Sequence, residues 1–179
     1  MELSSEQILP VSQADAWIAL NDIALLQSCI PGCESITAVD ENHYEVLVTA
    51  AVGPVKAKFK GKLRLENLQP PHSYTLQFEG QGGAAGHAKG SAEVSLSAVS
   101  DRETQLTYSA KAQVGGRIAQ IGSRLVDMAA QKMAGEFFAA FGERLSERFP
   151  QTQTAVAVPQ TSTSWWKRWW AAIKRWFAR

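Results

Sequence analysis

Cysteine is scarce in this sequence. Two residues, Cys29 and Cys33, stand in a chain of 179, which excludes a small disulfide-stapled scaffold. Histidine is almost as rare. His43, His72 and His87 are scattered among expected strand ends and turns, and with the cysteines they make no metal-binding spacing. Long apolar runs are missing too, so no stretch reads as a membrane-spanning helix of about 20 residues. The opening MELSSEQILPVSQADAW contains acids and no apolar core run, unlike a secretory signal. A cytoplasmic location is the expectation.

Acid is absent from the last sixteen residues, SWWKRWWAAIKRWFAR, which hold five of the six tryptophans and five basic residues. Thirteen basic residues face all seventeen acids before that point, a net charge near −4, so the main domain has no evident attraction to polyanions. On a helix, Trp165, Trp166, Trp169, Trp170, Ile173, Trp176 and Phe177 fall within about 140° of arc. Lys167, Arg168, Lys174, Arg175 and Arg179 fall opposite. Single-stranded nucleic-acid sites interleave aromatic and basic groups, whereas this helix separates them. Docking on the protein's own domain or a partner's groove is a second use of such a stripe. The segregated faces suit a helix lying in a membrane interface, indoles at headgroup depth and cations toward anionic lipid.

Before the tail, the chain reads as strand, short helices, a run of strands and a long helix. ELSSEQILPV is a first strand. In SQADAWIALNDIALLQSCIPG, Ser12 is placed to cap a helix and Asp15 suits its first turn, and Pro31-Gly32 stops it. Two strands flank the turn Asp40-Glu41-Asn42. VKAKFKGKLRLENL alternates apolar or small residues with Lys56, Lys58, Lys60, Lys62 and Arg64, the pattern of an antiparallel strand with one solvated face. SYTLQFEG, HAKGSAEVSLSAV and TQLTYSAKAQV continue the sheet. A helical period over Arg117 to Phe149 puts Ile118, Ile121, Leu125, Met128, Phe137, Phe141, Leu145 and Phe149 inward, and Pro150 ends it. The expected fold class is α+β: a curved antiparallel β-sheet wrapped around a long C-terminal α-helix, the helix-grip arrangement. The expected divisions are a domain over 1–149, a linker over 150–164 spanning roughly 20 Å if flexible, and the amphipathic helix over 165–179.

The inward rows are short of bulk. Gly61, Gly80, Ala88, Gly90, Ala92, Ala110 and Ala112 stand where a core should be filled. Either helix and sheet approach closely, or a cavity for an apolar ligand lies between them, with Phe59, Phe78, Gly90, Tyr108, Ala110, Met128, Met133 and Phe137 about it. The glycine-rich GQGGAA meets the loose dinucleotide pattern, but a strand follows where a helix should start. GGAAGHAKGS lacks the residue order of a phosphate loop. A mobile lid using Gly82, Gly83 and Gly86 suits the segment better. No nucleophile–base arrangement is found and no catalytic residue is assigned. His87 could serve as an acid or base only if it stood at the cavity mouth.

In IPGCESI (30–36), GGAAGHAKGSAEVSL (82–96) and VGGRIAQIGSRLVDMAAQKMAGEFFAAF (114–141), the chain resembles the carbon monoxide dehydrogenase G-subunit family of the START-like helix-grip superfamily. The likeness covers about residues 1–149. It implies a non-catalytic accessory protein that recruits a molybdenum hydroxylase of the carbon monoxide dehydrogenase type to the inner face of the cytoplasmic membrane. It also implies a quinone in the cavity, no covalent cofactor, and electron delivery to the respiratory chain. A general lipid carrier and a cyclase-like enzyme are the other functions this fold would accommodate.

Overall fold

Alternation along one strand organises the molecule. Strand β4 (Val55–Gln69) exposes Lys56, Lys58, Lys60, Lys62 and Arg64, while Val55, Ala57, Phe59, Gly61, Leu63 and Leu65 turn inward and are half-buried. The computed structural model describes residues 1–150; the expected linker beyond Pro150 and the amphipathic tail helix lie outside the described residues. Strands β1 (Glu2–Leu9), β2 (Cys33–Ala38), β3 (His43–Val52), β5 (Ser73–Gln81), β6 (His87–Ser100) and β7 (Glu103–Gly115) complete a seven-stranded sheet. Its order is β1-β7-β6-β5-β4-β3-β2, and each neighbouring pair is antiparallel. Only β1 is out of sequence order. It returns to pair with the last strand, aligning Leu3 with Ala110 and Ser5 with Tyr108.

Two short helices follow β1. Helix α1 (Gln13–Leu20) starts where the Ser12 hydroxyl accepts from the Asp15 amide at 3.2 Å, and Asp22 caps α2 (Ile23–Cys29) through the Leu25 amide at 3.1 Å. These caps satisfy amides that the first turn leaves without partners. The turn before β3 is held likewise: Asp40 Oδ1 accepts from the amides of Asn42 and His43, both at 3.0 Å. Buried Thr104 donates to the Val11 carbonyl at 2.9 Å, tying the start of β7 to the segment after β1.

The long helical period is interrupted, contrary to expectation. A single turn, α3 (Arg117–Gln120), precedes Gly122 at φ 98, and the main helix α4 runs from Ser123 to Arg148. Within α4 the buried positions are Val126, Phe141 and Leu145, so the expected stripe drifts off the inner face toward the start of the helix. Leu125 and Met128 are 41% and 56% exposed, while Val126 is buried in their place. Phe141 and Leu145 are fully buried and sit in the main core with Leu9, Leu20, Leu96 and Leu106. A second cluster joins Ala85, Ile118 and Val126, with Phe59 and Val114 against it.

A tyrosine-lined cavity between the short helices, the sheet and α4

Inside the curl of the sheet lies a cavity of about 240 Å³. Leu20, Asn21, Ile23, Leu26 and Ile30 form one wall, from α1, α2 and their flanks. Leu63, Leu65, Leu76, Ala92 and Leu106 supply the sheet side, and Phe137 and Phe138 the α4 side. The wall is almost wholly hydrocarbon. Its polar groups come from Asn21 and the three tyrosines Tyr44, Tyr74 and Tyr108, which are all the tyrosines of the chain.

Aromatic contacts fix these walls. Tyr108 stacks on Phe138 with centroids 5.3 Å apart, Phe138 meets Phe137 edge-on at 5.0 Å, and Phe137 stacks on Phe141 at 5.5 Å. Across the space, Tyr74 meets Trp17 edge-on at 5.7 Å. Offset-stacked and edge-to-face pairs are the favoured geometries of ring quadrupoles. The ion pair of Arg148 with Asp22 clamps the wall helix α2 to the end of α4. That guanidinium, and then the Leu25 amide, hold the Asp22 carboxyl below its ordinary range.

The polar groups differ in what they can still do. Tyr44 donates to the Glu41 carbonyl at 3.3 Å. The amide of Asn21, itself exposed, donates to the Trp17 carbonyl at 2.8 Å. Burial pushes the Tyr108 phenol up, opposed by its hydrogen bond with Ser5. Burial alone pushes the Tyr74 phenol well above the usual tyrosine range, and Tyr74 has no hydrogen-bond partner among the described residues.

Two of the eight expected cavity residues, Tyr108 and Phe137, line this space, and six do not. Phe59 belongs to the second cluster. Phe78 and Gly90 pack on each other: a β-carbon on Gly90 would lie 2.8 Å from Phe78 Cζ and 2.1 Å from the Lys111 carbonyl oxygen. Gly90 therefore marks close approach of chain segments. Ala110 lies further along β7 than Tyr108, paired with Leu3 and Ala92. Met128 and Met133 line a groove on another flank of α4, beside Pro31 and Gly32; in the unbroken helix Met128 stands about 140° around the axis from the buried Phe141.

The expected lid is also displaced from the cavity. Gly83–Ala85 form a 3-10 turn whose Ala85 is buried in the second cluster, and none of Gly82, Gly83 or Gly86 lines the cavity. A β-carbon on Gly82 would meet the Phe59 ring at 2.3 Å, and one on Gly86 would meet the Gly115 carbonyl at 2.0 Å. At these two positions glycine serves close packing. His87 lies with them, its ring over Gly115, away from the cavity mouth where a proton-transfer role would require it. Among the described residues no three of His, Cys, Asp and Glu gather as a metal site, and no helix is long and apolar enough to cross a membrane.

The residues missed from sequence were chiefly Tyr44, Tyr74, Phe138 and the leucines of β4 and β5. Tyr74 and Leu76 share the inward row of SYTLQFEG with Phe78, so their facing was legible. Which end of that row opens on a void was not, because it depends on where α2 and α4 cross the sheet.

Comparison with known proteins agrees with this architecture. The family model of CoxG, the G subunit of carbon monoxide dehydrogenase, matches residues 6–146. A conserved protein from Geobacillus kaustophilus is similar at 28% identity and TM-score 0.78, over 82% of this chain and 96% of that one. A START superfamily protein from Mycobacterium smegmatis aligns at 11% identity and TM-score 0.64, covering 82% and 98% of the two chains. The ZhuI aromatase/cyclase from Streptomyces sp. R1128 aligns at 10% identity and TM-score 0.62, covering 83% and 94%. The last two show the fold alone. Among curated proteins none matches. The chain belongs to the CoxG family of carbon monoxide dehydrogenase and has the START-like helix-grip fold.

Proposed function

We propose that this protein is a non-catalytic accessory factor that holds the ring of a quinone in the tyrosine-lined cavity and serves a molybdenum hydroxylase of the carbon monoxide dehydrogenase type. The observation that carries the reading is the cavity itself: an apolar, aromatic-walled space of about 240 Å³ in a member of this family. Its volume lies just below the ordinary range of small-molecule pockets, about 300–1,000 Å³. That is room for a head group, with a chain leaving where Asn21 meets solvent. The walls offer flat rings and hydrocarbon rather than converging acids and bases, which favours carriage over catalysis.

The tail supplies the other half of the proposal. Its segregated indoles and cations would hold the domain at the inner face of the cytoplasmic membrane, where quinones reside and where the hydroxylase would be recruited. The two halves are tested together. Organic extraction and mass spectrometry of protein purified from its host should recover a quinone. Pull-down from the same cells should recover the hydroxylase with the full chain. Recovery of neither, with no binding of quinones in titration, would remove both roles.

A further inference from the structure

Leu125 and Met128 are large apolar side chains left exposed among the described residues, and they share one groove. It encloses about 570 Å³ between α4, the end of β3 and the Pro31-Gly32 turn. Its α4 residues Leu125, Met128, Ala129, Lys132 and Glu136 fall within about 100° of arc, on the side of the helix opposite the buried Phe141. The polar groups of the groove are already engaged. Lys132 meets Glu136 at 3.7 Å, and the Thr49 hydroxyl donates to Glu34 at 2.8 Å. What remains for an occupant is hydrocarbon and the thioethers of Met128 and Met133, which adapt readily to aromatic rings.

The chain carries a segment of matching chemistry. Trp165 to Arg179 lies outside the described residues. Read as a helix, it gathers its indoles, Ile173 and Phe177 within about 140° of arc and sets its cations opposite. Laid on the groove by its indoles, it would keep those cations in water, so the contact calls for no acid from the groove. Its place in the chain suits as well. At about 1.5 Å per residue, Glu136 stands about 18 Å and Leu125 about 35 Å back along α4 from Arg148. The linker residues 150–164 span roughly 20 Å as a random coil, which brings Trp165 to the Glu136 end. A fifteen-residue helix is about 22 Å long, and running antiparallel to α4 it would cover the groove as far as Leu125.

We propose that this groove is the docking surface for the chain's own C-terminal segment in the absence of a membrane, so that groove and membrane compete for one set of indoles. The inference rests on the tail being the membrane-binding element and adds what holds it otherwise. Tethering makes a modest contact sufficient. A linker of this length gives an effective concentration of about 1 mM. A contact with a dissociation constant of about 0.1 mM is then docked about nine-tenths of the time. Membrane binding starts from the undocked tenth, and its apparent affinity falls about tenfold.

The test uses the full chain and two measurements: tryptophan fluorescence without lipid, and titration with vesicles of phosphatidylcholine and phosphatidylglycerol. Five of the six tryptophans lie in the tail, and a chain ending at Ser164 gives the spectrum of Trp17 to subtract. The tail emission of the native chain should be that of buried indoles and independent of protein concentration. Leu125→Gln with Met128→Gln removes apolar surface at two exposed positions without adding charge. It should move the emission to longer wavelength and tighten vesicle binding about tenfold. Native emission at the solvent-exposed wavelength, or emission unmoved by the double change, overturns the proposal, as does vesicle binding that the double change leaves unaltered. Emission that shifts only as the protein is concentrated assigns the groove to a second copy and overturns it too. If no chain binds vesicles while the emission responds as expected, the membrane role of the tail falls and the docking stands. Should the double change not fold, acrylamide quenching of the native chain decides: shielded tail indoles support the docking, and indoles quenched as freely as free tryptophan overturn it.

Discussion

Two small residues stand two positions apart on β6, and enlarging them should have opposite effects. Ala92 lines the cavity. Replacing it with leucine adds three carbon atoms, at about 0.8 kcal/mol for each one buried, so the gain approaches about 2 kcal/mol if the new side chain enters the void in a relaxed rotamer. Gly90 faces no void. A β-carbon there would lie 2.1 Å from the Lys111 carbonyl oxygen and 2.8 Å from Ala112 Cα. Both are backbone atoms of the paired strand, which cannot swing aside as a side chain can. Gly90→Ala should therefore destabilise by about 3 kcal/mol through forced backbone shifts. At about 2–4 °C per kcal/mol for a chain of this size, Ala92→Leu should melt roughly 4–8 °C higher and Gly90→Ala roughly 6–12 °C lower. Thermal unfolding followed by circular dichroism reads both, and titration of a short-chain quinone into Ala92→Leu should show binding lost. If Ala92→Leu is destabilised and still binds the quinone, the space beside Ala92 is not the ligand site. If Gly90→Ala is neutral, the close approach of β6 and β7 is not what glycine is there for.

Other perturbations probe other links. Leu145→Ala empties a fully buried core position and should cost about 3 kcal/mol by chemical denaturation. The Asp22 carboxyl is lowered from its ordinary 3.8 by Arg148 and the Leu25 amide, so its contribution is present above about pH 4 and lost as pH falls through the depressed folded-state value. With 29% and 41% of the two side chains exposed, that contribution should stay below about 1 kcal/mol, and Asp22→Asn should flatten the acid limb of the stability–pH curve. A chain ending at Phe149 should keep its melting temperature within a few degrees, since a linker of this composition should carry few contacts. Sedimentation with anionic liposomes should retain the full chain, release one ending at Ser164 and release the double change Trp169→Glu with Trp176→Glu. High salt should only weaken retention, because screening acts on charges and not on buried indoles.

What the sequence reveals about this fold follows from which forces are local. The alternation of β4, the cap at Ser12 and the turn at Asp40 depend on residues within a few positions of one another, and all three stand in the structure as read. The length of the inward helical stripe was legible as well, but its phase was not. Spacings of 3 and 4 taken in any order drift away from a true period of 3.6. Counted back from Phe141 within the unbroken α4, that period puts Val126 near the inner face and Met128 about 140° from it, and Val126 is the buried one. Met128 and Met133 were misplaced by that drift, while Gly122, at φ 98, sets only where α4 begins.

The small residues carry a related lesson. Glycine and alanine on inward rows signal either closeness or emptiness, and composition cannot separate the two. At Gly90 the partner is Phe78, a neighbour across the strand pair, so the answer is closeness. At Ala92, one step further along the same face, the paired Leu76 lines the same cavity, and a void remains. Its location depends on the clamp between α2 and α4, set by Arg148 and Asp22, 126 positions apart. Long-range geometry of that kind leaves only a faint local trace. The trace here is the placement of all three tyrosines on inward rows: an amphipathic ring is a good lining for a core only where its hydroxyl can reach a partner. Tyr44 has one in the Glu41 carbonyl, and Tyr74 and Tyr108 stand where the wall borders the cavity.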